Sequence, residues 1–414
     1  MKRYLLLPLV VSSLFALETF RLPNGMKVIL IDRKIPSVFL TVFYRAGSSL
    51  EPEGEGGLSY LVSMMSFAGT RKSSPWEQVF FLEKVGGGID VKVGKDFVVF
   101  KSHFPKEEFP LALWYEHERM KSLRISEDFF VKQRKRLSLQ VKTNLMDEDI
   151  RVEGLIDSFL YSDSPYSRIP LGNPEELEKI PLEHVRKFHR KFFQPRTALM
   201  VVVGDMRSRE KEIILKMFSP AKSRQVIFPE KIGFQTRGVD RKILVKGLSQ
   251  KVYALCYRIS SPTCSRRVFL ELVSLYLQRS LRERRLKGRM TGSVEVRIRH
   301  FLYSSSLCII VKSRDLAAWE ASLQRIFSHL KASPPRKSVL SGLRLSLLRS
   351  LREKEIDPSR WGEVLGWYKL VFGCGQEEVL ATASSISPPV FWENVRKVFY
   401  PFNRVRLVLL PWNR

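Results

Sequence analysis

The chain has 414 residues, of which 44% are hydrophobic and 27% charged, so it can form two or more packed cores and is too apolar for a disordered protein. Seventy lysine and arginine residues against 42 acidic residues give a net charge of +28, which favours an acidic partner or peripheral contact with an anionic membrane surface. No zinc-finger or RNP motif accompanies the basic residues, so nucleic-acid binding is not expected.

Residues 1–16 have the pattern of a signal segment. Lys2 and Arg3 precede a short apolar run, and Ala16 is a small residue at a suitable cleavage position. We therefore expect an exported chain, periplasmic or in the cell envelope, whose mature form begins at Leu17; the alternative is a buried strand or an uncleaved anchor. Export would permit oxidation of the four cysteines, but none forms a CxxC pair, and we interpret them as small buried hydrophobic residues.

The pattern of apolar residues predicts an alternation of strands and helices in the first half of the chain. Two strands come first and are followed by helices, by two further strands, by long helices and by a last helix and strand. The predicted strands lie over 18–31, 38–46, 88–93 and 97–103, the helices begin at Gly57, Ser74 and Leu182, and the long helices reach residue 160.

The same order of elements returns in the second half of the chain. The segment 189–203, a helix end followed by a proline and an aliphatic strand, resembles 395–409 at a constant offset of 206 residues. The strand over 39–45 likewise resembles 252–258. We therefore predict an α+β fold of two homologous repeats, each a mainly antiparallel sheet with helices on one face. The expected domains span 17–219 and 241–414, joined by a linker over 220–240.

The helix that begins at Gly57 reads GLSYLVSMMSFAGT. Tyr60 and Met64 are four residues apart and lie on one helix face, with Ser63 beside them. In the HxxEH motif of zinc hydrolases, these three places hold two metal-binding histidines and the glutamate that takes a proton from metal-bound water. A phenol, a thioether and a hydroxyl cannot replace them, so the residues alone predict a buried structural helix.

Other polar clusters carry weaker signals. His184 and His189 are five residues apart, on different helix faces, and are expected to be surface or capping residues. The acidic run over 147–149 with Glu153 lacks the glycine turn of a calcium loop, so we expect a solvated helix face there.

The residues around the GLSYLVSMMSFAGT helix resemble the M16 family of zinc peptidases, which includes pitrilysin, insulin-degrading enzyme and the mitochondrial processing peptidases. The similarity is strong over residues 18–205 and weak in the second repeat. It rests on FRLPNGMKVIL over 20–30, RAGS over 45–48, Glu51, Gly57-Leu58, FAGT over 67–70, the glycine-led strand from Val85, and the segments 165–173 and 183–189.

The resemblance assigns a family role to each matching position in the first repeat. The two metal-binding histidines of the family fall on Tyr60 and Met64, and its general base falls on Ser63. Its third metal ligand, a glutamate, falls on Val141, and an associated glutamate falls on Arg134. Because all five are replaced, we expect no catalytic residue, no bound metal and no cofactor.

In the second repeat, the family holds substrate with an arginine and a tyrosine. Arg282 matches the arginine and is the expected substrate-binding residue. The tyrosine would fall near Arg289, and no tyrosine lies between Arg282 and Tyr303. The asparagine of the family's edge strand is replaced by Asp90. Peptide binding of the family type therefore rests on Arg282 alone.

Smaller M16 proteins form half of a clamshell, and many pair one zinc-bearing chain with one inactive chain. The resemblance implies that this chain is the inactive subunit of an exported heterodimer with a zinc-bearing M16 chain. It would complete the chamber and help to bind or orient a peptide substrate. The alternative is a stand-alone scaffold or binding protein, like the core subunits of respiratory complexes that share the fold.

Overall fold

The protein is described by a computed structural model, which covers residues 16–70, 72–121, 123–234, 238–260, 262–288 and 290–412. The predicted signal segment lies outside the described residues except for Ala16. None of the helices in the described ranges is long and apolar enough to cross a membrane.

The first half contains six strands and eight α-helices within the described ranges. They are β1 (Leu17–Arg21), β2 (Lys27–Asp32), β3 (Ser37–Tyr44), α1 (Leu58–Met65), α2 (Pro75–Val85), β4 (Gly88–Val93), β5 (Val98–Pro105), α3 (Phe109–Lys121), α4 (Glu127–Asn144), α5 (Glu148–Leu160), α6 (Pro174–Leu177), α7 (Leu182–Phe192), β6 (Ala198–Gly204) and α8 (Ser208–Phe218).

The second half repeats this alternation. Its elements are β7 (Val239–Lys246), β8 (Lys251–Ser260), α9 (Cys264–Gly288), β9 (Ser293–His300), β10 (Ser304–Ser313), α10 (Ala317–Ala332), α11 (Lys337–Ile356), α12 (Pro358–Trp367), α13 (Gln376–Ser385), α14 (Pro388–Val398) and β11 (Arg404–Trp412). Strand β7 begins inside the predicted linker over 220–240, and the domain boundaries stay a prediction.

Each half forms one sheet, and the two sheets share a strand order. The first sheet runs β1-β2-β6-β3-β5-β4, and the second runs β7-β11-β8-β10-β9. If β1 is left out, each strand of the first sheet has a counterpart at the same position in the second sheet. Strands β3 and β8, which resemble each other in sequence, are both the central strand of the five. Only β2–β6 and β7–β11 are parallel pairs among the described strands. The predicted α+β fold of two mainly antiparallel repeats is confirmed.

Strand alternation divides the core of the first half between the two faces of its sheet. Val28 and Leu30 of β2 face a cluster that is shared with α1, α3, α4 and α7. Ile29 and Ile31 of the same strand face a second cluster, to which α12 contributes Trp361. One face is therefore covered by the first half's own helices and the other by a helix from the second half.

Helix α12 can approach the first sheet closely because two glycines lie four residues apart on one helix face. A Cβ atom on Gly366 would lie 2.2 Å from the Phe43 ring, and one on Gly362 would lie 3.1 Å from Oγ1 of Thr41. Helix α5 of the first half makes the reciprocal contact with β8 and β11 of the second sheet. The 206-residue offset maps α5 onto 354–366, which contains most of α12, so the halves exchange equivalent helices.

The four cysteines form two disulfides. Cys256 and Cys308 are directly opposed on β8 and β10, with Cα atoms 4.1 Å apart. Cys264 at the start of α9 is joined to Cys374, with Cα atoms 6.0 Å apart. The interpretation of the cysteines as small buried hydrophobic residues is right about the burial of Cys256, Cys308 and Cys374, but all four are paired in disulfides. The pairing of Cys256 with Cys308 depends on the register between β8 and β10. The spacing of the cysteines along the sequence does not specify that register.

Candidate functional site

Helix α1 holds the three positions that correspond to the metal-binding motif. Tyr60 and Met64 are partly buried and pack against the core of the first half. Ser63 is fully buried, and its hydroxyl donates a hydrogen bond of 2.7 Å to the Tyr60 carbonyl within the helix. Burial raises the pKa of the Tyr60 phenol, which keeps it protonated at neutral pH. None of the three side chains is available as an ionised ligand or base.

Helix α4 packs against α1 and carries the remaining two positions. Val141 is fully buried in the same core as Tyr60 and Met64. Arg134 is turned to other partners: it donates a hydrogen bond of 2.7 Å to the Ile180 carbonyl and lies over the Phe130 ring. Of the five positions, Tyr60, Met64 and Val141 therefore belong to one hydrophobic cluster.

The residues at these positions do not fit a zinc ion. Zinc in proteins is held by thiolate, imidazole or carboxylate groups, whereas Tyr60, Met64 and Val141 offer a protonated phenol, a thioether and a hydrocarbon. No group of three or more His, Cys, Asp or Glu side chains that could hold a metal ion occurs within the described ranges. No metal-dependent step can therefore be built on these side chains.

Glu51 has a structural role that the sequence analysis missed. Its carboxylate accepts hydrogen bonds from the backbone N–H groups of Gly57, at 3.0 Å, and Ser59, at 2.8 Å, and so caps the first turn of α1. The side chain is 6% exposed, and burial raises the pKa of the carboxyl to about 7 although the two hydrogen bonds act in the opposite direction. Its place six residues before Gly57, outside the usual N-cap position, hid this role in the sequence.

Arg282, the expected substrate-binding residue, and Asp90, which replaces the family's edge-strand asparagine, lie on different halves. Arg282 is exposed on α9, which packs against α10, α11, α13 and β9 of the second half. Asp90 is exposed on β4, the edge strand of the first sheet. Arg289, where the family's tyrosine would fall, lies outside the described residues. The role of Arg282 as a substrate contact stays a prediction.

A buried cluster of charges links helix α5 of the first half to strand β9 of the second half. Lys95 and Asp157 are each 4% exposed at the side chain, with Nζ and Oδ2 2.9 Å apart, and Arg299 of β9 also pairs with Asp157. Burial lowers the pKa of the Lys95 ammonium, while Asp157 acts in the opposite direction. Removal of Asp157 would take the shared carboxylate from the buried Lys95 ammonium and the Arg299 guanidinium, which is strongly destabilising. The cluster therefore stabilises the contact of α5 with the second sheet.

The acidic residues of α5 also contact the second half, so the expected solvated face is wrong for two of them. Glu148 pairs with Lys312 of β10 at 3.1 Å. Glu153 pairs with Arg299 at 2.9 Å and with a second arginine on β9. Asp149 is mostly exposed, as expected, although its carboxylate also pairs with Lys312 at 2.6 Å.

The histidines differ from each other. His184 lies near the surface, as expected, with Nδ1 2.9 Å from a Glu55 carboxylate oxygen. His189 is buried, contrary to the expectation of a surface or capping residue, and its Nε2 lies 2.9 Å from the Arg119 carbonyl oxygen. Burial lowers the pKa of the His189 imidazole to about 4, so the ring is neutral at physiological pH.

Helix α2 exposes an unusual number of aromatic side chains. Trp76 is 82% exposed, Phe80 59% and Phe81 41%. Val79 adds a fourth large apolar side chain that is 46% exposed. The helix lies in the chain between α1 and the edge strand β4. Aromatic residues are enriched in protein interfaces, and contiguous exposed apolar patches mark interaction sites.

The fold and the replaced positions define a class: a two-repeat α+β half-shell with the frame of a zinc peptidase and without its metal-binding side chains. Residues 27–174 match the sequence model of Insulinase (Peptidase family M16). This segment of the chain is therefore similar to the M16 family, and the resemblance noted in the sequence is confirmed.

The curated relatives that match this chain include two from one organism, each over less than half of this chain. The zinc protease PqqE of Helicobacter pylori is 24% identical over 198 residues, which are 47% of this chain and 44% of that protein. The non-peptidase homolog YmxG of the same organism is 22% identical over 173 residues, which are 42% of this chain and 40% of that protein. The match thus spans less than half the length of each relative.

Solved structures match nearly the whole chain and show the same fold. A protease from Helicobacter pylori superimposes with a TM-score of 0.85 at 20% identity, covering 96% of this chain and 100% of that one. The peptidase M16 inactive domain from Pseudomonas fluorescens gives 0.82 at 17% identity, covering 96% and 98%. The periplasmic protease PqqL of Escherichia coli gives 0.80 at 18% identity, covering 95% of this chain and 47% of that one.

Proposed function

We propose that this chain is the non-catalytic subunit of an exported M16-type zinc peptidase heterodimer. The observation that carries the proposal is the apolar packing of Tyr60, Met64 and Val141 where a peptidase of this fold would hold zinc. A half-shell without a metal site needs a second chain to take part in peptide hydrolysis. The partner is a zinc-bearing M16 chain, and this chain completes the chamber and helps to bind or orient the peptide.

One comparison supports a pairing of halves, and another supports the lack of peptidase activity. The fold covers 47% of PqqL of Escherichia coli, so in that protein a body of this shape is joined to a further segment of similar length. YmxG is described as a non-peptidase homolog, which is a precedent for a relative without activity. The exposed aromatic face of α2 supplies a surface that a partner chain would bury.

Export is supported by the disulfides and by the predicted signal segment. Both disulfides need an oxidising compartment such as the periplasm. Fractionation of native cells should find the chain in the periplasm or envelope, and intact mass should give a mature form that begins at Leu17. A form that retains Met1 would favour an uncleaved anchor.

The main test measures peptidase activity with and without this chain. A zinc-bearing M16 chain should co-purify with it from native cells, and the pair should hydrolyse peptides faster than the zinc-bearing chain alone. If removal of this chain leaves activity unchanged, and no zinc-bearing chain co-purifies, the alternative of a stand-alone scaffold or binding protein is correct.

The interface test uses the aromatic face of α2. The double variant Trp76→Ser and Phe80→Ser should abolish co-purification, because exposed aromatic anchors dominate the free energy of protein association. The control Leu345→Ser removes an apolar side chain that is 65% exposed on α11 and should leave assembly intact. Equal loss of assembly in both variants would count against α2 as the contact surface.

The substrate test uses Arg282. An arginine can bind a peptide carboxylate or carbonyl, and losing such a charge-assisted hydrogen bond costs about 1.5–3 kcal/mol, which is about ten- to a hundredfold in activity. Arg282→Ala should reduce the activity of the assembled pair by that factor without reducing assembly. Unchanged activity would leave this chain a structural role in the chamber wall only.

A further inference from the structure

A cavity of about 610 Å³ in the first half has a strongly positive lining. It lies between the C-terminal ends of α3 and α7 and the segment 220–224. Half of its lining residues are apolar, among them Met120 and Phe193, and no carboxylate is present among them. Five cations line it: Lys121, Arg186, Arg190, Lys222 and Arg224. The volume is that of a small-molecule site.

The segment that carries two of these cations is fixed to the first half. Asn24 donates a hydrogen bond of 3.1 Å to the Ala221 carbonyl, and the Arg224 N–H donates one of 2.6 Å to Oε1 of Gln194. Gln194 in turn donates to the Lys191 carbonyl at the end of α7. The backbone of the segment is thus anchored to the first half, which keeps the exposed side chains of Lys222 and Arg224 at the edge of the cavity.

Most of the positive charge in this cavity is not neutralised by the protein. Arg186 donates to a backbone carbonyl, and Arg190 pairs with Glu183 where both side chains are more than half exposed. The other three cations make no side-chain hydrogen bond or ion pair with any described residue: Lys121, Lys222 and Arg224. The neutral His189 adds no charge, and the nearby Arg190 contributes to its low pKa together with burial.

A simpler explanation is that cations near the ends of α3 and α7 stabilise the negative ends of the helix dipoles. It accounts for Lys121 and Arg190, which lie in the last turns of those helices. It does not account for Lys222 and Arg224, which belong to neither helix and lie on a segment whose backbone is anchored by Asn24 and Gln194.

We propose that this cavity binds a phosphate monoester that is carried on an apolar group. A phosphate dianion offers three strong acceptor oxygens to the ammonium and guanidinium groups, and arginine binds phosphate in a bidentate geometry. A single carboxylate would leave most of the five cations unmatched. The apolar half of the lining accommodates the group to which the phosphate is attached, in either a lipid headgroup region or a soluble ester.

The test measures binding of phenyl phosphate to the purified full chain by isothermal titration calorimetry. The double variant Lys222→Gln and Arg224→Gln should weaken binding at least about tenfold, because each removed charge takes away a charge-assisted hydrogen bond. The matched control Lys135→Gln and Arg136→Gln removes the same charge from the exposed surface of α4 and should bind as the unmodified chain does. Thermal unfolding should show that both variants fold.

Vesicles of phosphatidylcholine with phosphatidic acid distinguish the two sources of the phosphate. Competition by these vesicles, and not by phosphatidylcholine alone, assigns a lipid headgroup; undiminished binding of phenyl phosphate in their presence assigns a soluble ester. Equal weakening in both double variants would show that only the overall charge attracts the probe. That result, the absence of saturable binding, or preferential binding of polyglutamate would overturn the proposal.

Discussion

The buried carboxyl of Glu51 should make the stability of this protein depend on pH in a particular direction. Its pKa is about 7 in the folded chain against 4.5 for an ordinary glutamate. Between these values the unfolded chain has released the proton and the folded chain still holds it. The free energy of unfolding therefore falls as pH rises, by about 1.4 kcal/mol per pH unit and by about 3 kcal/mol over the whole interval.

Glu51→Gln removes this titration and keeps the shape of the side chain. Its single acceptor oxygen can satisfy only one of the N–H groups of Gly57 and Ser59, as the protonated carboxyl does, so at about pH 5 the variant should be similar in stability to the unmodified chain. By about pH 8 the unmodified chain should have lost about 3 kcal/mol relative to the variant.

Urea unfolding followed by tryptophan fluorescence from about pH 5 to about pH 8 measures this difference. Glu53→Gln, at an exposed position two residues away, is the control and should show the pH dependence of the unmodified chain. If the curves for Glu51→Gln and the unmodified chain run parallel across the range, the carboxyl does not titrate there and the reasoning is refuted.

Gly366→Ala should lower the free energy of unfolding by about 1–3 kcal/mol, because the added methyl group meets the Phe43 ring. The control Gly342→Ala, whose nearest neighbour would be 4.0 Å away, should raise it by up to about 1 kcal/mol; chemical denaturation measures both. Thiol titration in denaturant without reductant should find no free cysteine, and four reactive thiols would contradict the pairing. Opening the Cys264–Cys374 disulfide, which closes a loop of 110 residues, should lower the free energy of unfolding by about 4–5 kcal/mol. Elemental analysis should find no stoichiometric zinc in the purified chain, and one tightly bound zinc would contradict the assignment of the α1 and α4 positions.

Much of the fold could be predicted because each strand carries its own apolar pattern and the pattern returns after 206 residues. The exchange of α5 and α12 could not be predicted in this way. A helical periodicity marks which face is buried, and it does not say which of two similar sheets covers that face. The spacing of Gly362 and Gly366 was a local sign of close packing, but it did not identify the partner.

At the candidate site, the sequence was sufficient to predict that zinc ligands are missing. It was not sufficient to predict which residues surround the site and which of them pair with each other. The identities of Tyr60 and Met64 alone decide that they are poor zinc ligands. Lys95 and Asp157 are far apart in the chain, so no local sequence pattern predicts that they form an ion pair. His189 was predicted at the surface because it lies on a different helix face from His184. The Arg119 carbonyl on α3, which lies against the buried His189 ring, is distant in the sequence and could not be foreseen.

The exchange of helices also determines where a chamber built from this chain could open. A hinge between the halves would have to lift α5 off the second sheet and α12 off the first. That motion would expose Trp361 and Leu365 to water and separate Lys95 from Asp157 or Asp157 from Arg299. Such costs oppose a hinge motion between the two halves. In the proposed heterodimer, a peptide would then enter through motion at the seam between the two chains, and mutations at that seam, not in the linker, should control the rate of entry.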